Sequence, residues 1–189
     1  MGFYTQICLT IPGAPVAKGR PRFRKVGSYV QTYTPAKTAK AERQIGLEFL
    51  YSQLDFVKLL PPEDARRRLG KTSWESLLQR AKSARNRSAG RSGKSAEELR
   101  LLGKENGIGL KCEFYVPIPN SLSKKKKAEI DGGFCLKKPD IDNYVKLICD
   151  ALNGIAWEDD NEVAEVYAVK RYSNNPRTEV SIYYYQIRA

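Results

Sequence analysis

The chain has 189 residues, carries 33 Lys and Arg against 21 Asp and Glu for a formal net charge of +12, and contains no histidine. Its length and 41% apolar content suit one globular domain rather than a disordered chain or two independent cores. The missing histidine excludes triads built on His, imidazole-ligated zinc and a His general base, leaving carboxylates, lysine, hydroxyls, cysteine or an oxygen-held metal.

Tyr4 to Ile11 alternates and is rich in β-formers, which predicts a strand ended by Pro12-Gly13. Residues 14–27 read as a Pro/Gly-punctuated basic loop. A short strand at Tyr29–Tyr33 precedes a helix that opens with Thr34 as N-cap and Pro35 at the first helical position, running to about Leu54. The next stretch, about 55–107, changes character. It is rich in Arg and Ser and poor in large apolar groups, with capping boxes at Thr72–Glu75 and Ser95–Glu98. It reads as a basic, largely helical insertion, because its apolar content cannot support a second core.

Leu110 to Val116 alternates as a further strand. The segment Ser121–Ile130 carries the run Lys124–Lys127, and Pro139 disfavours helix at Lys138. A helix then follows to Leu152, with Asn153-Gly154 as its stop and Tyr144, Val145, Leu147, Ile148, Ala151 and Leu152 on one apolar stripe. Two strands close the chain, about Glu162–Tyr172 and Thr178–Ile187, and the Ser173–Pro176 turn between them predicts a hairpin. Trp157 reads as a core anchor, and Tyr183–Tyr185 as sheet packing. These strands and helices are expected to form one domain.

The charge is segregated along the chain. Residues 18–43 hold eight basic groups and one acid, 61–104 twelve and five, and 124–138 six and two. Residues 140–165 reverse the sign, with Lys146 alone among eight acids. Such a basic chain suits a polyanion, since Lys and Arg that neutralise phosphates release condensed counterions. A membrane partner is not expected, because no apolar run approaches 18 residues and no basic-then-apolar leader opens the chain. Cys8, Cys112, Cys135 and Cys149 are too widely spaced for a C-x-x-C pair and read as the reduced thiols of a cytoplasmic protein.

The acidic island holds the candidate chemistry. Asp140 and Asp142 flank the start of the second helix, Lys146 lies one turn beyond Asp142, and Asp159-Asp160 follow the helix. Two readings fit this spacing. In one, the two aspartates serve as cap and dipole partners and Lys146 as a helix ion-pair partner. In the other, converging carboxylates form an oxygen-ligand site for Mg²⁺, with Mn²⁺ as a substitute, and Lys146 stabilises charge on a phosphate.

The stretch Lys138-Pro-Asp-Ile-Asp-Asn-Tyr-Val-Lys146, continuing as Asp150-Ala-Leu-Asn-Gly154 and Trp157-Glu-Asp-Asp160, closely resembles the RusA family of Holliday junction resolvases. The segments Pro15-Val-Ala-Lys-Gly-Arg-Pro-Arg22 and Pro119-Asn-Ser-Leu-Ser-Lys-Lys-Lys126 are similar to that family's, in the same order. The resemblance implies an α+β fold, a small mixed sheet packed with two main helices, in a homodimer that cuts four-way DNA junctions symmetrically with Mg²⁺, in recombination and repair, leaving 5′ phosphate and 3′ hydroxyl ends. By position it makes Asp140, Asp142 and Asp160 the metal-binding carboxylates, with Asp159 as the neighbour able to replace Asp160, and Lys146 the catalytic lysine. Lys18, Arg20, Arg22, Lys124, Lys125, Lys126 and Lys138 become the expected DNA contacts, in a cytoplasmic, nucleoid-associated protein. The insertion departs from compact members of the family. A non-catalytic binder of branched DNA, and a nuclease of flaps, forks or RNA, are the rival expectations.

Overall fold

The computed structural model describes residues 2–52 and 103–186. Of the expected insertion, all but 103–107, a closing helical turn at 103–106 and Gly107, lies outside the described residues, including both of its capping boxes. The described chain runs β1 (Gly2–Pro12), β2 (Arg22–Val26), β3 (Tyr29–Tyr33), α1 (Ala36–Ser52), β4 (Ile108–Pro117), α2 (Lys124–Ile130), α3 (Ile141–Leu152), a short 3₁₀ turn at Asp160–Glu162, β5 (Val163–Ser173) and β6 (Arg177–Gln186).

Four strands form a mixed sheet in the order β1-β6-β4-β5, and β2 pairs with β3 in a separate two-stranded ribbon. The mixed α+β architecture is the one expected, but two local expectations fail. Residues 22–26, expected to be loop, are a strand: Arg22 pairs with Tyr33 and Val26 with Tyr29. The expected hairpin between the last two strands is absent, because β4 lies between them. Strand β5 runs parallel to β4 (Lys111 opposite Tyr167), while β6 runs antiparallel to β4 (Lys111 opposite Ser181) and to β1. Four Cα steps from Ser173 to Arg177 reach about 15 Å, enough to cross two strand spacings of about 4.8 Å. A short turn therefore fits either arrangement, and the parallel β4–β5 pair requires the long crossover that α2 and α3 supply.

Strands β1, β4 and β6 alternate. Ile7, Leu9 and Ile11 of β1, Leu110, Cys112 and Phe114 of β4, and Val180, Ile182 and Tyr184 of β6 face one side. There they meet Ile45 and Phe49 of α1 and the stripe Tyr144, Leu147, Ile148, Ala151 and Leu152 of α3. Val145, on the edge of the expected stripe, is only partly buried. Phe114 stacks on Tyr144 with ring centroids 5.0 Å apart. The opposite face of the sheet carries Gln6, Cys8, Thr10, Ser181 and Tyr183, so the aromatic run 183–185 divides, with Tyr184 in the core.

The helices begin and end where local chemistry allows. Helix α1 starts one residue later than expected: the Pro35 carbonyl accepts from the Ala39 amide at 3.0 Å. Helix α3 stops at Asn153, and Gly154 follows at φ +71°, a left-handed conformation that costs glycine nothing. Trp157 then inserts fully into the core, and the Tyr184 hydroxyl donates to the neighbouring Ala156 carbonyl at 2.8 Å. All four cysteines are free thiols. Among the described residues, no helix is long and apolar enough to cross a membrane.

Trp157→Ala should lower the unfolding free energy by about 3–5 kcal/mol in urea titration, since it removes the largest fully buried side chain. Leu136→Ala, at a side chain 91% exposed, should change it by less than about 0.5 kcal/mol.

Candidate functional site

Helix α3 presents its polar side to solvent because its apolar stripe is held by the sheet. Asp140 is the N-cap, in extended conformation (φ −72°, ψ 151°), yet its side chain makes no capping hydrogen bond. Asp142 is exposed in the first turn, and its Oδ1 accepts from Asn143 Nδ2 at 3.2 Å. Lys146 is exposed one turn further on, and neither it nor Asp142 belongs to an ion pair among the described residues. The cap and ion-pair roles that the spacing allowed are therefore unfilled. The start of α3 and the turn that follows thus offer two carboxylates and an ammonium that no ion pair among the described residues engages.

The loop before Asp140 is pinned from β5. Lys170 Nζ donates to the Lys137 carbonyl at 2.5 Å and the Pro139 carbonyl at 2.6 Å, and lies 5.9 Å from the Tyr144 ring centre. Asp140 lines one side of an open groove of about 440 Å³, together with Phe134, Leu136, Ile141 and Lys170. Sequence reasoning missed Lys170. Its only signal was a cation directly after the Ala168-Val169 pair of a predicted strand.

Asp159 and Asp160 occupy the other end of α3. The Glu162 carboxylate accepts from the Glu158 and Asp159 amides, each at 3.3 Å, and so holds the turn. The Asp160 carboxyl is held above the usual carboxylate range, first by its hydrogen bond with Asp159, then by partial desolvation and by repulsion from Asp159 and Asp150. Asp150 sits eight residues after Asp142, about 12 Å along the helix axis. Among the described residues, no three His, Cys, Asp or Glu side chains are grouped so that they could hold a metal ion. The convergence of Asp140, Asp142 and Asp160 expected from the sequence is thus not present within one chain. The parallel β4–β5 crossover explains it, since the start of α3 lies near Lys170 while Asp160 leads into the opposite end of β5.

The expected DNA contacts divide. Lys18 is committed to structure: its Nζ lies 2.6 Å from both Glu42 of α1 and Asp150 of α3, and its backbone amide donates to the Asn143 carbonyl at 2.8 Å. Arg20, Arg22 and Lys138 are exposed. Lys124, Lys125 and Lys126 are exposed in the first turn of α2, which Ser123 caps by accepting from the Lys126 amide at 3.4 Å. Cations at a helix start oppose the macrodipole, so helix stability does not account for these three.

A family model described as "Endodeoxyribonuclease RusA" matches residues 12–54 and 61–183. The chain belongs to the RusA family. A curated relative, the uncharacterized protein YqaN of Bacillus subtilis (strain 168), is 42% identical over 79 residues, which is 40% of this chain. The match spans 56% of that relative's length. RusA-family proteins are divalent-metal-dependent endodeoxyribonucleases that act on branched DNA junctions. Oxygen donors suit such an ion, which typically takes one or two carboxylates and completes its shell with substrate phosphate and water. Asp140 and Asp142, which make no cap bond or ion pair among the described residues, fit that role.

Lys18→Met should cost about 1–3 kcal/mol, because it leaves two half-buried carboxylates without their counterion. Desolvation lowers the Lys18 pKa, but hydrogen bonds and attraction from Asp150 and Glu42 outweigh it, so the pKa stands above 10.5. A raised folded pKa stabilises the fold fully below the unfolded value. The difference between wild type and Lys18→Met should stay constant from about pH 7 to 9 and shrink only as pH climbs through the folded pKa.

Proposed function

We propose that the protein is a Mg²⁺-dependent, structure-selective endonuclease that resolves Holliday junctions as a homodimer in recombination and repair. One observation carries this reading: Asp140 and Asp142 lie at the start of α3 with Lys146 one turn beyond, and among the described residues no cap bond or ion pair occupies them. Family membership supplies the reaction class. Asp140 and Asp142 would hold the ion; Mn²⁺ is expected to substitute. Bound there, the metal supplies neutralisation of phosphate charge and acidification of the attacking water.

The chain's own residues do the rest. Lys146 places a positive charge one turn from Asp142, where it stabilises the extra negative charge that develops on the phosphate. Lys170 holds the Lys137–Pro139 backbone and through it the position of Asp140. The exposed lysines at the start of α2, with Lys138, Arg20 and Arg22, hold the flanking phosphates and let a polyanion approach an acidic site. A protein acting on chromosomal or mobile DNA in this way works in the cytoplasm, at the nucleoid.

The two acidic groups sit at opposite ends of α3, which is about 18 Å long. If Asp160 serves the same ion as Asp140 and Asp142, it does so for the partner chain. The homodimer is then needed to complete each site as well as to cut two strands.

Purified protein incubated with labelled four-way junction should incise it with Mg²⁺ and leave it intact with EDTA. Asp142→Asn should reduce incision by about a hundredfold or more while retaining junction binding. Lys146→Ala should behave likewise. Mg²⁺-independent incision, or an Asp142→Asn protein that cuts like wild type, would overturn the assignment. Binding without incision of any branched substrate would favour a non-catalytic junction binder. Competition with linear duplex, flaps and RNA at fixed salt tests the specificity.

A further inference from the structure

The β2–β3 ribbon has no packing partner among the described elements that covers either of its faces. Every residue of β3 is exposed, as are Arg22, Phe23, Arg24 and Lys25 of β2. Phe23 is 71% exposed, Tyr29 62% and Val30 66%. An isolated two-stranded ribbon is marginal in water, and monomeric proteins do not usually leave aromatic groups outside on both faces of one. The register sorts the side chains. Arg22, Arg24, Tyr29 and Tyr33 share one face, and Phe23, Lys25 and Val30 share the other. Of the two residues between β2 and β3, Gly27 alone has a positive φ (+62°) and Ser28 follows it, which suits a tight two-residue turn and fixes that register.

The ribbon is also rooted at the catalytic end of the molecule. Lys18, just before it, hydrogen-bonds through its amide to Asn143, the residue after Asp142. The Gly19 amide donates to the buried Thr38 Oγ1 at 3.2 Å, and a Cβ at Gly19 would stand 2.9 Å from that oxygen. The base is therefore fixed while the rest projects into solvent. Its charge is of one sign: the first acidic residue of the whole chain is Glu42, beyond the ribbon. None of Arg20, Arg22, Arg24 or Lys25 belongs to an ion pair among the described residues.

We propose that the Arg22–Tyr33 ribbon is a DNA-gripping arm that inserts into a groove of the duplex beside the scissile phosphate, with its arginines on phosphates and Phe23 and Tyr29 against sugars and bases. A ribbon with contact groups on both faces covers both at once only between two walls. The major groove, about 12 Å wide, admits a two-stranded ribbon. Basic and aromatic groups in alternation are the chemistry that nucleic acid matches, through counterion release and stacking. The proposal rests on the DNA-acting reading above, but it concerns binding, and can be tested without incision.

Binding of a fluorescent four-way junction is measured by anisotropy in EDTA across a salt series, for wild type, Arg22→Ala/Arg24→Ala and Phe23→Ser/Tyr29→Ser. The arginine variant should lose affinity and flatten the slope of log K against log salt by about two. The aromatic variant should lose about tenfold or more with the slope unchanged. Phe23→Tyr/Tyr29→Phe should bind like wild type. The proposal falls if both loss variants bind the junction like wild type, or if wild type shows no binding to reduce. It also falls if the variants lose affinity only by dissociating into monomers in sedimentation, which would make the ribbon a subunit contact. Wild type that binds through the ribbon but never cuts would sink the nuclease reading and leave the arm standing. Wild type that cuts while ribbon variants bind normally would do the reverse.

Discussion

Burial of the α3 stripe against β4 and β6 is the constraint on which the rest of the structure depends. Tyr144, Leu147, Ile148, Ala151 and Leu152 are locked against Phe114, Ile182 and their neighbours, so the helix cannot rotate without exposing its whole apolar face. That fixes Asp142 and Lys146 on the solvent side and Asp140 at the mouth of the groove. It also fixes what lies at each end. The parallel crossover sends the start of α3 towards Lys170 and its end towards Trp157, whose buried indole sets the acidic turn beyond.

The second coupling is electrostatic. Lys18 ties α1 to α3 through Glu42 and Asp150, and its own backbone is bound to Asn143. A cation of the basic segment thereby neutralises part of the acidic island, and the segment's remaining cations are left facing outward. The described cations of that segment are thus divided between one tied into the fold and others left exposed, and which is which is decided by proximity to a carboxylate rather than by position in a run of basic residues.

The sequence made some elements plain and hid others for physical reasons. Helix α3 was legible because its stripe, its Pro139 entry and its Asn153-Gly154 exit agree. Strand β3 was legible from β-branched and aromatic residues. Strand β2 was not, because Arg22, Arg24 and Lys25 occupy three of its five positions, between flanking Pro and Gly, and read as a basic loop. The β5–β6 hairpin was misread because a short turn carries no information about a third strand inserted from elsewhere in the chain. The candidate residues were legible, but their grouping was not. Chain order places Asp160 soon after Asp142, whereas the helix between them carries it to the opposite end.

That separation makes the proposal of an acidic set completed between two chains directly testable. Asp142→Asn and Asp160→Asn proteins, each prepared alone, should fail to cut a four-way junction with Mg²⁺. Mixed and allowed to exchange subunits, they form heterodimers in which one site holds both substitutions and the other holds neither, so nicking should return. If each chain built its own site, every site in the mixture would carry one substitution, and activity would stay absent; that result would contradict the account.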